Sequence, residues 1–232
     1  MLSEFLFISL LGLFIRYGIS SNSYSGMATP PMYGDYEAQR HWLEITSSLP
    51  LEGWYINSTD NDLLYWGLDY PPLTAYHSLA LGKVAQVLEP DLVALHTSRG
   101  YESSSSKLFM RMTVIIADLL IFFPAVYLFS KSFRQYHSAV IIQSIFLILQ
   151  PGFYLIDHGH FQYNCICLGF ALLSCALILI NRPYLGTVSF CLALTYKQIA
   201  LYYAPAFFFF LLGQAIRSGR SSGYTYNTTL AL

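Results

Sequence analysis

The sequence predicts an all-helical protein that crosses a membrane several times. Three observations predict it. Of 232 residues, 55% are hydrophobic and only 11% charged, far more apolar than a soluble domain of that length needs. The apolar residues are gathered into runs about as long as a helix that spans a bilayer. The few charges are sorted along the chain. Residues 21–107 hold ten acidic residues against four Lys/Arg, a net −6, and the rest holds three acidic against eight basic, a net +5. The acidic excess therefore sits in one long polar loop, and the basic excess flanks the apolar runs. A nucleic-acid surface would be a clustered basic patch, so nucleic acid is excluded as a partner class.

Each element follows in order. Residues 5–19 are apolar but contain Arg16, and no small-residue cleavage site follows, so they read as a first membrane helix rather than a signal peptide. The loop 21–107 carries two amphipathic stretches, 36–49 and 73–88, each too short and too polar to span. Helices of that kind lie in the interface plane. Pro50, Gly53 and Pro71-Pro72 mark turns between them. Residues 102–106 (ESSSS) read as a flexible link into the next helix. Residues 112–129 and 138–156 have spanning length, and 165–180 falls slightly short. Residues 187–212 are interrupted by Lys197 and Pro205. They read either as one long helix or as two short ones turning near Lys197. The Ser/Gly/Thr/Tyr-rich tail reads as disordered. Cys165, Cys167, Cys175 and Cys191 all lie in apolar runs, where free cysteine behaves as a small hydrophobe. No disulfide framework is implied.

Orientation follows from short basic loops, which stay on the cytosolic side. Lys131 and Arg134 mark one such loop and Arg182 another. The long loop and residues 157–164 then face the lumen. Asn57-Ser58-Thr59 is a glycosylation sequon on that side, and Asn57 is its acceptor. A second sequon at Asn227 falls in the tail, where it reads as meaningless.

Carboxylates in an aromatic, polar loop at a membrane surface point to chemistry on a lipid-borne substrate. Asp35, in Gly34-Asp35-Tyr36-Glu37-Ala38-Gln39-Arg40-His41-Trp42, reads either as the N-cap of helix 36–49 or as a general base toward an attacking hydroxyl. Asp69, in Trp66-Gly67-Leu68-Asp69-Tyr70-Pro71-Pro72, reads as a turn residue or a second carboxylate, beside aromatic rings that could stack on sugar. Asp60-Asn61-Asp62 has the Asp-x-Asp form of metal-dependent nucleotide-sugar enzymes but reads as a solvated turn, and no metal is expected. The run Asp157 to Asn164 (DHGHFQYN) offers neutral donors and acceptors to a phosphate or to hydroxyls. Lys197 in an apolar run is costly unless paired or facing a polar cavity, so it reads as a phosphate partner or a snorkelling side chain. Asp118, in mid-helix with Arg111 two turns earlier on nearly the same face, reads as part of an internal ion pair or as a packing residue rather than as a catalytic one.

These motifs, with His158-Gly159-His160-Phe161-Gln162-Tyr163-Asn164 and Tyr196-Lys197-Gln198, resemble in order the endoplasmic-reticulum glucosyltransferases that extend the lipid-linked oligosaccharide for N-glycosylation. The likeness runs over about residues 5–213. It is nearer to the members that add the first glucose. Those that add the second typically read Arg-Asn-Trp where this chain has Arg40-His41-Trp42. The resemblance implies a multi-pass C-type glycosyltransferase (GT-C) fold in the endoplasmic-reticulum membrane, with its active site in the lumen. It implies transfer of glucose from dolichyl phosphate glucose to dolichol-linked Man9GlcNAc2 in α-1,3 linkage, by one inverting displacement and without a cofactor. By position it makes Asp35 the base, with Asp69 orienting the acceptor or, as the alternative, serving as the base. Glu37, Arg40, His41, Trp66, Tyr70, His158, His160, Gln162 and Lys197 become substrate contacts. Family members are roughly twice this long. Residues 1–213 therefore read as the N-terminal part of the membrane domain and 214–232 as a tail without family character. A chain of this length is expected to be inactive or nearly so alone, as an enzyme fragment or a non-catalytic scaffold.

Overall fold

The structure is a computed structural model that describes residues 2–133 and 137–221. Arg134, the sequon at Asn227 and the tail beyond Ser221 lie outside the described residues. The chain forms α1 (Leu2–Ser20), α2 (Gly34–Ser48), α3 (Pro72–Leu88), α4 (Ser104–Lys131), α5 (Ser138–Phe161), α6 (Asn164–Leu179), α7 (Pro183–Tyr196) and α8 (Ala204–Ser221). Among the described residues, α1, α4 and α5 are long and apolar enough to cross a membrane. α6 is apolar but shorter, and it pairs with α7 as a tight hairpin. The main core is apolar and joins α1, α4, α5, α6 and α7, with Met110, Val114, Phe122, Ile148 and Cys165 fully buried.

Several boundaries differ from expectation, each for a visible reason. Residues 102–106 are not a flexible link. Ser103 Oγ accepts from Ser106 N–H at 2.9 Å, and Ser106 Oγ accepts from Ser103 N–H at 3.1 Å. This reciprocal capping box starts α4 at Ser104, well before position 112. α5 breaks before Pro151 and then continues through Phe161 as a widened, π-type turn that starts at Tyr154. Asp157, His158 and His160 therefore sit on helix, not in a loop. Of the two readings of 187–212, the two-helix form is the one present. Lys197 is extended (φ −148°, ψ 130°), and Pro205 stands in the first turn of α8, where its missing N–H costs nothing. α8 runs on to Ser221, so residues 214–221 are helical.

The long loop packs as a second, smaller body on one end of the bundle. α2 and α3 cross so closely that a Cβ on Gly82 would lie 2.6 Å from the carbonyl oxygen of Leu43. α2 is not an interfacial helix with one wet face, because every residue from Tyr36 to Ser47 is buried. Its buried charged residues pair with one another and with Tyr65, Leu92 and Ser98, as described below. α3 does keep an exposed apolar side at Val84, Val87 and Leu88.

Candidate functional site

Four segments that are distant in sequence meet at one end of the bundle: the start of α2, the turn before α3, the end of α5 and the break after α7. Backbone and side-chain bonds tie them together. Ser25 N–H donates to His160 O at 3.1 Å. Thr74 Oγ donates to Tyr196 O, a carbonyl freed where α7 stops. Gln198 Nε2 donates to Asp69 O at 3.4 Å.

Asp35 is the second residue of α2 and not its N-cap. The cap position is Tyr33, whose side chain makes no capping bond. Gly34 precedes Asp35 with φ +69°, a left-handed conformation, and a Cβ there would lie 2.8 Å from Ser25. Only glycine fits without strain. The helix start favours an anion at Asp35 through its free N–H groups. The carboxylate is about two-fifths exposed. Its Oδ2 accepts from His160 Nε2 at 2.9 Å and from Gln162 Nε2 at 2.8 Å. Among the described residues no hydrogen bond reaches Oδ1. One oxygen is therefore held and the other, on a part-exposed carboxylate, is left unbonded among the described residues, an arrangement suited to accepting a proton from a hydroxyl.

Lys197 completes this side. Its Nζ donates to Gln162 Oε1 at 3.2 Å and to Asn164 Oδ1 at 2.7 Å, and lies 4.9 Å from the centre of the Tyr70 ring. The Gln162 amide thus bridges carboxylate and ammonium, which fixes which end is nitrogen. Gln39, Tyr70, Thr74 and Tyr163 line the small concavity beside Lys197. Lys197 is half-buried and paired with neutral oxygens, so its charge remains available to an anion. Asp69 is exposed nearby, anchored through its backbone carbonyl.

Other expected contact residues are turned inward. Arg40 is fully buried and donates to Glu37 at 2.7 and 2.8 Å, to Glu44 Oε2 at 2.7 Å, to Ser98 Oγ at 2.6 Å and to Leu92 O at 2.9 Å. Tyr65 O–H donates to Glu37 at 2.8 Å, and His41 Nδ1 to Glu44 at 3.1 Å. Burial pushes the Glu44 carboxyl up. The His41 N–H bond and the Arg40 charge outweigh it and hold the group down to about 2. Glu37, Arg40 and His41 therefore sit, with Glu44, in a buried ionic cluster that shapes α2 and not on the exposed face that carries Asp35. His158 is buried against Asp118 and likewise does not face the site. Trp66 and Tyr70 are half-buried, with Trp66 Nε1 bonded to Met32 O and Trp42 Nε1 to Trp66 O. Asp118 does not pair with Arg111. Its partners are Arg16 and His158. In Asp60-Asn61-Asp62 the middle residue is not solvated. Asn61 Nδ2 donates to the carbonyls of Gly53, Trp54 and Ile56, and Asp60 pairs with His96 at the surface. Asn57 is exposed.

Sequence reasoning missed Asn164, although it ends a motif already singled out. It gave no role to Tyr196, although that residue opens the quoted Tyr196-Lys197-Gln198 motif, and it missed His77, whose only signal was its aromatic ring. Tyr196 Oη and His77 Nδ1 lie 3.1 Å apart, and burial pulls the His77 imidazole down to about 4. Beyond this pair an apolar groove of about 660 Å³ opens between α3 and α4, lined by Leu81, Val84, Leu108, Met112 and Leu120 among others.

A family model described as "ALG6, ALG8 glycosyltransferase family" matches residues 10–232. Curated relatives similar to this chain are named dolichyl pyrophosphate Man9GlcNAc2 alpha-1,3-glucosyltransferase. The one from Rattus norvegicus is 56% identical over 213 residues, covering 91% of this chain and 42% of the relative. The one from Gallus gallus is 55% identical over 211 residues, 90% and 42%. A Dictyostelium discoideum protein, named as probable, is 54% identical over 213 residues, 91% and 41%. The chain thus spans less than half the length of these relatives. With the Asp35 constellation, the spanning helices and a match over nearly the whole sequence, the chain belongs to the ALG6, ALG8 glycosyltransferase family.

Proposed function

We propose that this chain supplies the base-bearing part of a site that transfers glucose from dolichyl phosphate glucose to dolichol-linked Man9GlcNAc2 in α-1,3 linkage. Asp35 Oδ1 takes the proton of the attacking mannose hydroxyl. Oδ2 stays locked by His160 and Gln162, so the carboxylate cannot rotate away. Lys197 and Asn164 face the donor phosphate, which leaves as dolichyl phosphate while the glucosyl carbon inverts. Asp69, exposed on the same rim, orients the acceptor glycan. The observation that carries this reading is the half-exposed carboxylate with one held and one free oxygen, assembled from three separate motifs. The relatives' shared name supplies the substrate class. The apolar groove between α3 and α4 lies one layer of side chains away, across His77 and Tyr196, where a lipid-borne substrate needs apolar surface.

The fold this reading requires is that of the C-type glycosyltransferases in the endoplasmic-reticulum membrane, with the α2–α3 body in the lumen. Asn57 is then accessible for glycosylation, which endoglycosidase treatment reads as a mobility shift. Loss of that site with no shift would place the loop on the other side.

The test is complementation in cells that lack the activity, reading the size of the lipid-linked glycan. The arms are this chain, the chain extended to its relatives' length, and the extended form with Asp35→Asn. One added glucose, lost on Asp35→Asn, supports the reading. A positioned general base contributes about 10²- to 10⁴-fold, and a loss of that size is expected. No added glucose from the extended form would favour the sister enzyme that adds the second glucose, or a non-catalytic scaffold. Full rescue by Asp35→Asn would remove Asp35 as the base.

A further inference from the structure

The segment that carries His160 and Gln162 is gripped from inside the membrane bundle. His158 is 1% exposed, and its Nε2 donates to Asp118 Oδ2 at 2.7 Å. The same oxygen accepts from Arg16 Nε at 2.8 Å, and both Arg16 and Asp118 are 0% exposed. Arg16 Nη1 also donates to Ile148 O at 2.9 Å, a carbonyl left free where α5 breaks. Arg111 holds the backbone of the segment, with Nη1 on His158 O and Nη2 on Gly159 O at 3.0 Å. Two residues after Gly159, Phe161 is fully buried with φ +92°. A bulky side chain in that region is strained and persists only when its surroundings over-determine it.

Mere packing does not need this arrangement. Ion pairs inside a bundle carry a desolvation cost, and apolar residues of similar size often serve stability as well or better. Among the described residues, Asp118 Oδ1 and Arg16 Nη2 are buried without partners, a costly feature for a purely stabilising network. It reaches the site through His158, two residues before His160 and four before Gln162. Both of those end on one oxygen of Asp35.

We propose that Asp118, acting through His158 and supported by Arg16 and Arg111, is a positioning residue of the site. It sets the strained 158–162 segment so that His160 and Gln162 hold Asp35 Oδ2 and leave Oδ1 free. This rests on the reading of Asp35 as the base.

The test is a double-mutant cycle on the intact polypeptide in membranes: Asp118→Asn, His160→Ala and both, with hydrogen exchange over residues 157–164. A misplacement of about 1 Å costs up to about a hundredfold in rate. Asp118→Asn is therefore expected to lower kcat about ten- to a hundredfold, with KM within about twofold. In the His160→Ala background the same change should cost less than about threefold, because both act on one contact. Amides of 157–162 should exchange faster while those of α2 do not. Equal losses in both backgrounds, or unchanged exchange at 157–162, would overturn the proposal. If Asp118→Asn does not fold, His158→Gln against His158→Leu decides. Gln keeps an N–H for Asp118 and should retain most of the rate, whereas equal rates would overturn the proposal. If the wild-type protein extended to its relatives' length transfers no glucose, the base assignment fails on its own, and the exchange data still decide whether Asp118 sets the segment.

Discussion

Asp35 and Glu37 are neighbouring carboxylates in the first turn of one helix, and they end in opposite states. Glu37 is 2% exposed, with both oxygens bound by Arg40 and a further bond from Tyr65. Asp35 is about two-fifths exposed, with one oxygen bound and the other open. A saturated cluster has no capacity left for a substrate, so its energy goes into holding α2 in place. An unsaturated carboxylate on that rigid helix has its position fixed and its chemistry free. The closed cluster makes the open one accurate.

The largest expected effect comes from opening the closed cluster. Arg40→Met leaves Glu37 and Glu44 buried without their cation. Breaking a buried ion network by removing one partner costs about 3–5 kcal/mol, and thermal unfolding in detergent should show that loss. Asp35→Asn keeps an amide oxygen for its partners and should cost about 1 kcal/mol, while lowering transfer about 10²- to 10⁴-fold. If the two variants were equally destabilised, the contrast between the clusters would be wrong.

Acid sharpens the same contrast. Glu44 is held at about 2 against an ordinary 4.5. Between those values the unfolded chain binds the extra proton, so this stabilisation is complete above pH 4.5 and lost as pH falls toward 2. His77 sits at about 4 against 6.5 because burial disfavours its charge. The unfolded chain again binds more protons between those values, so its contribution is complete above 6.5 and lost as pH falls toward 4. Each amounts to roughly 3 kcal/mol at 1.36 kcal/mol per pH unit. Unfolding midpoints should therefore fall in two steps on acidification, and His77→Gln should remove the upper one.

Much of the fold was legible because bilayer-spanning helices follow from length and hydropathy alone. The helix at α2 was legible too, but its burial was not. Its residues 36–47 look polar on most sides, and only three-dimensional pairing shows that Arg40, Glu37 and Glu44 satisfy one another. Arg16 and Asp118 are 102 positions apart in sequence, so no spacing rule links them, and the nearer Arg111 was the natural but wrong partner. Asp35, His160, Gln162 and Lys197 were legible as motifs, while their meeting was not. The start of α4 at Ser104 was available in the Ser103–Ser106 capping pattern and was obscured by the serine-rich composition.

The smallest expected effect tests the polar bridge at the edge of the open cluster. Lys197 donates to both Gln162 and Asn164, and Gln162 carries the strain of both charges through one amide. Lys197→Gln keeps a donor for Asn164 but removes the positive charge. Hydrogen bonds to charged groups contribute about 1.5–3 kcal/mol and neutral ones about 1, so the difference is near 1 kcal/mol in stability. If Lys197 only braces Gln162, transfer should fall by that same factor, about five- to tenfold, with KM for the donor unchanged. If it also meets the donor phosphate, the KM for dolichyl phosphate glucose should rise while acceptor KM holds. A donor KM that stays fixed while kcat falls would remove Lys197 from the phosphate and leave it as the brace of the amide that locks Asp35.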